Sequence, residues 1–212
     1  MKKLALIGSK DFARQIRSFA ERTGEYEVVG YFDDFAPKDT MVDGLPILGK
    51  IEDVIPLYEK KYFDFLFFAA GYNNFHFREH TFSTLKGKVP FANIIMPNAK
   101  LRKNVKIGEG VYIGNNTIID SNTIIEDNVF IHGSSGIGHD GHIGAHTYIS
   151  GRFNSAGFVD IGSRCFIGIC VLVSDHISIC DDTWIGLGCI VAKDIKNPGK
   201  YMSPSAKLYK IE

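Results

Sequence analysis

The sequence is short of several things, and each shortage closes a line of interpretation. Among 212 residues there are only four cysteines, Cys165, Cys170, Cys180 and Cys189, all in the last third and with no C-x-x-C pair. They read as small packing residues in a reducing compartment rather than as a disulfide framework. No apolar run approaches 18 residues, which excludes a membrane-spanning helix. The basic start Met1–Ile7 has too short an apolar stretch for a secretion signal, so a cytoplasmic location is expected. An excess of charge is also missing, because 24 Lys and Arg balance 24 Asp and Glu. That balance removes any diffuse electrostatic drive toward nucleic acid or anionic membranes. What the chain does have is 45% apolar content, enough for one large core or two small ones, and 22 glycines, which point to many tight corners.

A repeat dominates the second half. Stepping by six from Ile95 gives Leu101, Ile107, Ile113, Ile119, Ile125, Ile131, Ile137, Ile143, Ile149, Ser155, Ile161, Ile167, Val173, Ile179, Ile185 and Val191. Ser155 alone breaks an otherwise aliphatic series. A helix with 3.6 residues per turn would smear a six-residue stripe around its surface, so this is not helical periodicity. Short strands separated by corners keep the stripe, with one aliphatic per strand pointing inward. The frequent glycine after the aliphatic (Gly108, Gly114, Gly138, Gly144, Gly162, Gly168, Gly186) is expected to ease the corner backbone. Three such strands make an 18-residue triangular coil, and about five and a half coils stack at roughly 4.8 Å into a parallel β-helix.

Residues 1–92 follow another pattern. Apolar segments around Lys3–Ile7, Val28–Phe32 and Phe63–Ala70 alternate with helical spacing at Phe12–Ala20, Ile51–Lys60 and Asn74–Leu85. Strands alternating with helices predict a small Rossmann-like parallel α/β domain. Ligands of such sheets bind outside the carboxyl ends of the strands, near Gly8–Asp11, Asp33–Asp34 and Ala70–Asn73. A G-x-G-x-x-G fingerprint is absent, since the turn reads Gly8-Ser9-Lys10-Asp11-Phe12-Ala13. Redox use of a dinucleotide is therefore not expected. The division is residues 1–92 for the α/β domain, 93–196 for the β-helix and 197–212 for a C-terminal cap.

An α/β domain followed by hexapeptide repeats resembles the family of sialic acid O-acetyltransferases and nucleotide-amino-sugar N-acetyltransferases. The similarity runs through Ile7-Gly8, Phe12-Ala13-Arg14, Gly30-Tyr31-Phe32-Asp33-Asp34 and Gly44-Leu45-Pro46-Ile47-Leu48-Gly49, and then Ile137-Gly138-His139-Asp140, Ile143-Gly144, Gly157 and Ile161-Gly162. The resemblance implies a left-handed β-helix, homotrimeric assembly with the active site between two β-helices, and acetyl transfer from acetyl-coenzyme A. It makes His139 the general base and Asp140 the acid that orients it. Gly8, Ser9, Lys10, Asp33, Asp34, His132 and Tyr148 would hold the sugar nucleotide, and Tyr148, Gly157, Ile169 and Leu187 would line the coenzyme path. No metal is expected.

The chain also departs from the family. His132 stands where many members have Asn, Tyr148 where many have a second His, and Ser203-Pro204-Ser205-Ala206-Lys207 where G-V-P-A-K is common. Lys10 is a candidate replacement for missing glycine amides as a phosphate contact. Three-histidine zinc sites of β-helix carbonic anhydrases need two His five residues apart, and the spacings among His132, His139, His142 and His146 are seven, three and four. His142 and His146 read as solvated or interface residues, and Trp184 as an anchor for an interface or the coenzyme end. The expected activity is N-acetylation of a nucleotide-linked amino sugar for surface glycan synthesis. Alternatives are O-acetylation of a sialic-acid-type hydroxyl and a non-catalytic trimeric sugar-nucleotide scaffold.

Overall fold

The computed structural model describes residues 1–70 and 73–204. The chain opens with β1 (Lys2–Ile7), α1 (Asp11–Arg22), β2 (Tyr26–Phe32), a hairpin of β3 (Met41–Val42) and β4 (Leu45–Gly49), a short 3₁₀ turn at Ile51–Asp53, α2 (Val54–Glu59), β5 (Phe65–Phe68) and α3 (Phe75–Leu85). The sheet order is β3-β4-β2-β1-β5, parallel except for the β3–β4 hairpin. Chain direction across the sheet reverses between β1 and β5, and that switch point opens a crevice at their carboxyl ends. Strand β4 was not expected as a strand. It lies between β2 and the edge strand β3, and Pro46 sits opposite Met41 of β3, before the residues Ile47 and Gly49 that pair with β2.

Both faces of this sheet are covered. Leu4, Leu6, Val28 and Tyr31 pack under Ala13, Ile16 and Ala20 of α1, and Ala5, Ile7, Phe32 and Phe68 pack under Val54 of α2 and Phe82 and Leu85 of α3. The outer side of α1 lies on the β-helix, with the rings of Phe12 and Phe130 5.0 Å apart and those of Phe19 and Tyr112 also 5.0 Å apart.

Among the described residues the β-helix has three parallel faces. The first runs from Ile94–Ile95 to Gly199–Tyr201, the second from Lys100–Leu101 to Ile190–Val191, and the third from Lys106–Ile107 to Ser178–Ile179. Partners in neighbouring coils differ by 18 residues, as in Ile119 beside Ile137 and Ile143 beside Ile161. The six-step aliphatics from Ile113 to Val191 meet along the axis as one continuous core. Ser155 at the break accepts a hydrogen bond from the Gly138 N–H at 3.2 Å.

The corners obey a rule that corrects the glycine expectation. Every sixth residue from Asn104 to Gly188, fifteen in succession, has φ between 53° and 70°. This left-handed position falls three residues after the inward aliphatic and holds Asn, Ser, Asp, His, Arg, Phe and Cys as well as Gly. The glycine directly after the aliphatic serves another purpose. A Cβ at Gly168, for example, would stand 2.7 Å from the backbone of the next coil, so this glycine permits close stacking. The described part of the C-terminal segment adds Gly199–Tyr201 to the first face beside Thr183–Ile185. The remainder of that segment, including Ser205, Ala206 and Lys207, lies outside the described residues.

Candidate active site

Two places gather the residues singled out from the sequence. One is a cleft of about 710 Å³ between the α/β domain and the first face of the β-helix. Gly8, Ser9, Lys10, Asp33, Asp34, His132 and Tyr148 all line it, joined by Phe12, Phe35, Ile51, Phe77 and Asn73. Gly8 has φ 101°, and a Cβ there would sit 2.6 Å from the Ala70 side chain, so only glycine lets β1 turn out against the end of β5. Lys10 precedes the first turn of α1, whose open N–H groups favour an anion.

The two aspartates differ. Asp33 is buried and accepts the Ser9 hydroxyl at 2.5 Å through Oδ2 and the Phe35 N–H at 2.9 Å through Oδ1. It therefore organises two loops of the cleft. Asp34 is exposed, with Oδ1 accepting the Ile51 N–H at 2.9 Å. On the β-helix side, Tyr148 lies in an aromatic ladder of Tyr112, Phe130, Tyr148, Phe166 and Trp184, with centroid spacings of 4.2, 5.1, 5.5 and 5.2 Å. Trp184 ends this ladder by stacking on Phe166. The Tyr148 hydroxyl is 2.6 Å from His132 Nε2, and burial pulls the His132 pKa down, so this imidazole meets the cleft uncharged near neutral pH.

The second place is the corner between the second and third faces, which carries His139 and Asp140. His139 Nδ1 is 2.8 Å from Asp140 Oδ2, and Asn122 Nδ2 donates to Asp140 Oδ1 at 3.1 Å. The hydrogen bond from His139, and then that from Asn122, hold the Asp140 carboxyl below its ordinary pKa. With Nδ1–H given to the carboxylate, the lone pair of the imidazole lies on Nε2. Gly157, one coil on, has a different part from the one expected: a Cβ there would stand 2.7 Å from His139 Cε1 and Nε2, so its empty side-chain space holds the imidazole itself. Phe158 stands edge-on to the ring at 5.2 Å.

The four residues placed on the coenzyme path do not meet within one chain. Gly157 belongs to the His139 corner, Tyr148 to the first face, and the exposed Ile169 and Leu187 to the corner between first and second faces. His146 differs from expectation. It is buried at the third corner, with Nδ1 3.0 Å from Asn128 Nδ2, and burial lowers its pKa to about 4. His142 is half-buried on the third face between Asp160 Oδ1 at 2.7 Å and Glu126 Oε1 at 3.0 Å. Desolvation opposes its charge, but the two carboxylates together outweigh it and raise the pKa. Cys165 and Cys189 are buried as packing residues, whereas Cys170 is exposed at a left-handed corner. Among the described residues no three His, Cys, Asp or Glu side chains group as a metal site, and no helix is long and apolar enough to cross a membrane.

Arg78 was not anticipated. It is 2% exposed on α3 and has no carboxylate partner among the described residues. It donates to the carbonyl of Ala70 at 3.2 Å and to the side chain and carbonyl of Asn128 at 2.5 and 3.1 Å, and lies over the Phe68 ring at 5.1 Å. One side chain thus ties the end of β5, a wall of the cleft, to the β-helix. Burial lowers its pKa to about 10, which leaves it charged at neutral pH.

Comparison with known proteins agrees with this architecture. Residues 3–85 match the PglD N-terminal domain, and residues 90–121 match the bacterial transferase hexapeptide (six repeats). UDP-3-O-acylglucosamine N-acyltransferase from Herminiimonas arsenicoxydans is 43% identical over 65 residues, 31% of this chain and 19% of that protein. The chain therefore spans about a fifth of the length of the curated relatives it matches. PerB from Caulobacter crescentus, solved in complex with CoA and GDP-perosamine, is 26% identical over 99% of this chain and 98% of its own, with a TM-score of 0.85. The acetyltransferase domain of PglB from Neisseria gonorrhoeae, solved with acetyl coenzyme A, shares the fold at 20% identity, covering 95% of this chain and 96% of that domain, with a TM-score of 0.84. A PglD-type α/β domain set against a hexapeptide-repeat coil gives the chain the same architecture as these nucleotide-amino-sugar acetyltransferases, to which it is similar over nearly its whole length.

Proposed function

We propose that the protein transfers an acetyl group from acetyl-coenzyme A to the amine of a nucleotide-linked amino sugar, with His139 as general base. The observation that carries this reading is the His139–Asp140 pair, seated over Gly157 at an exposed corner with Nε2 as the basic atom. The sugar nitrogen attacks the thioester carbonyl carbon while Nε2 takes its proton. The tetrahedral intermediate then expels the coenzyme thiolate, which recovers a proton from the imidazolium. Asp140 stabilises that imidazolium and fixes the tautomer, which is why an ionised carboxylate belongs at this position. The cleft supplies the nucleotide site, with the diphosphate at Lys10 and the start of α1 and the base toward β2. His132 and Tyr148 face the sugar.

The working unit is a homotrimer, with the active site in the groove between two β-helices. Two features support it. The cleft and the His139 corner lie on different edges of one chain, and Ile118, Leu172 and Ile190 on the second face and Ile124 on the third leave an aliphatic surface exposed beside that corner. A neighbouring copy laid there would bring Ile169 and Leu187 of one β-helix toward the His139 corner of another, completing the coenzyme path. The acceptor and coenzyme named with PerB are of the class proposed for this chain.

The test is thiol release from acetyl-coenzyme A with UDP-, GDP- and dTDP-linked amino sugars and with free sialic acid. Turnover with a nucleotide-linked amino sugar, reduced at least a hundredfold in His139→Ala, is the expected result. Undiminished turnover in that variant removes His139 as the base, and free sialic acid as the preferred acceptor replaces N- with O-acetylation.

A further inference from the structure

The loop after β2 carries an aromatic side chain outside every sequence pattern. Phe35 is 89% exposed, and single exposed apolar residues are ordinary. The position of this one is not. It stands on the rim of the cleft beside Asp34 and Ile51, at the carboxyl end of β2. Its backbone is held there, because its N–H donates to Asp33 Oδ1 while Asp33 Oδ2 accepts the Ser9 hydroxyl. The phosphate-side loop and the Phe35 loop are thus braced against each other through one buried carboxylate. A diphosphate at Lys10 and the start of α1 directs the rest of a nucleotide toward β2, and so toward Asp34, Phe35 and Ile51.

We propose that Phe35 and Asp34 together read the nucleobase and that the base is guanine. This rests on the reading that the cleft holds a nucleotide-linked sugar. Phe35 offers a ring face to a flat heterocycle, and Ile51 adds an aliphatic wall. Asp34 is anchored through Oδ1 by the Ile51 N–H, and a carboxylate has further lone pairs to offer. Guanine alone among the common bases presents two adjacent donors, N1–H and the 2-amino group, which one carboxylate can accept together. Uracil and thymine present a single N–H between two carbonyl oxygens, and those oxygens repel a carboxylate. Adenine and cytosine present a ring nitrogen acceptor at the corresponding edge. The larger purine also covers more of the Phe35 ring.

The test is equilibrium binding of GDP, IDP, UDP, dTDP and ADP to wild type, Phe35→Ala and Asp34→Asn, with circular dichroism to check that each variant folds. GDP binds wild type best, and IDP, which lacks the 2-amino group, binds at least fivefold more weakly. Phe35→Ala weakens GDP at least tenfold. Asp34→Asn abolishes the GDP preference over both IDP and UDP, because an amide can still cap Ile51 but no longer matches two donors. Preference of wild type for UDP, dTDP or ADP overturns the base assignment and leaves the sugar-nucleotide reading standing. Unchanged GDP affinity in both folded variants removes these residues as readers. No binding of any nucleoside diphosphate to folded wild type overturns the nucleotide reading itself, and this inference with it.

Discussion

At the scale of single residues, the pose of His139 depends on an atom that is missing elsewhere. Gly157→Ala places a methyl group 2.7 Å from the imidazole at a backbone conformation any residue can adopt, and the ring can swing away into solvent. The variant is expected to keep its thermal stability within about 0.5 kcal/mol. Its kcat falls by roughly tenfold or more through lost alignment. Thermal melts run beside steady-state kinetics check both halves, and a stable variant with wild-type kcat removes the packing argument. His146 gives a different kind of prediction. Burial first, and then the Arg78 charge, pull its pKa from 6.5 to about 4. The unfolded chain therefore binds the proton first as pH falls. The contribution of neutral His146 is complete above pH 6.5 and is lost as pH drops through about 4, up to roughly 3 kcal/mol. Urea midpoints at about pH 7.5 and pH 5 are expected to separate more for wild type than for His146→Gln. An equal separation would show that His146 is not the group responsible. Neither role was legible in the sequence, because a glycine in a glycine-rich repeat and a histidine among five in the β-helix carry no local mark of what they touch. Phe35 escaped for the same reason.

At the scale of elements, the two halves are joined side chain by side chain. The third corner stacks Gly110, Asn128, His146, Arg164 and Asp182 at 18-residue intervals, all at left-handed backbone positions. Helix α3 answers them: Phe82 meets Gly110 and the His146 ring, Arg78 binds Asn128, Glu79 pairs with Arg164 at 3.0 Å, and His76 lies 3.7 Å from Asp182. This register sets the domain against the coil and so sets the width of the cleft. The aliphatic period of six was fully legible, since a stripe of inward Ile is the condition for stacking coils. The corner position was not. Asn, Ser, Asp, His, Arg, Phe and Cys share one backbone state there because the coil geometry, rather than residue preference, imposes it. Strand β4 was hidden because Leu45-Pro46-Ile47-Leu48-Gly49 has neither alternation nor an uninterrupted β-branched run, and its pairing to β2 is a long-range contact.

At the scale of the whole molecule, the exposed aliphatics flanking the His139 corner give the assembly proposal a test. Wild type is expected to sediment at three times 23.6 kDa. Ile118→Asp combined with Ile124→Asp would place carboxylates in the contact and yield monomers that still bind a nucleoside diphosphate but transfer acetyl at least a hundredfold more slowly. A monomeric double variant with full turnover would show that one chain is a sufficient catalyst. The uninterrupted march of corners from Asn104 to Gly188 has one more consequence. Across that span no inserted loop hangs over the grooves, so no lid from the coil closes on the His139 corner. The His139–Asp140 pair is already formed at its exposed corner within the single chain. On the proposed function, turnover would then be paced by the approach and departure of the two bulky substrates rather than by movement of the coil.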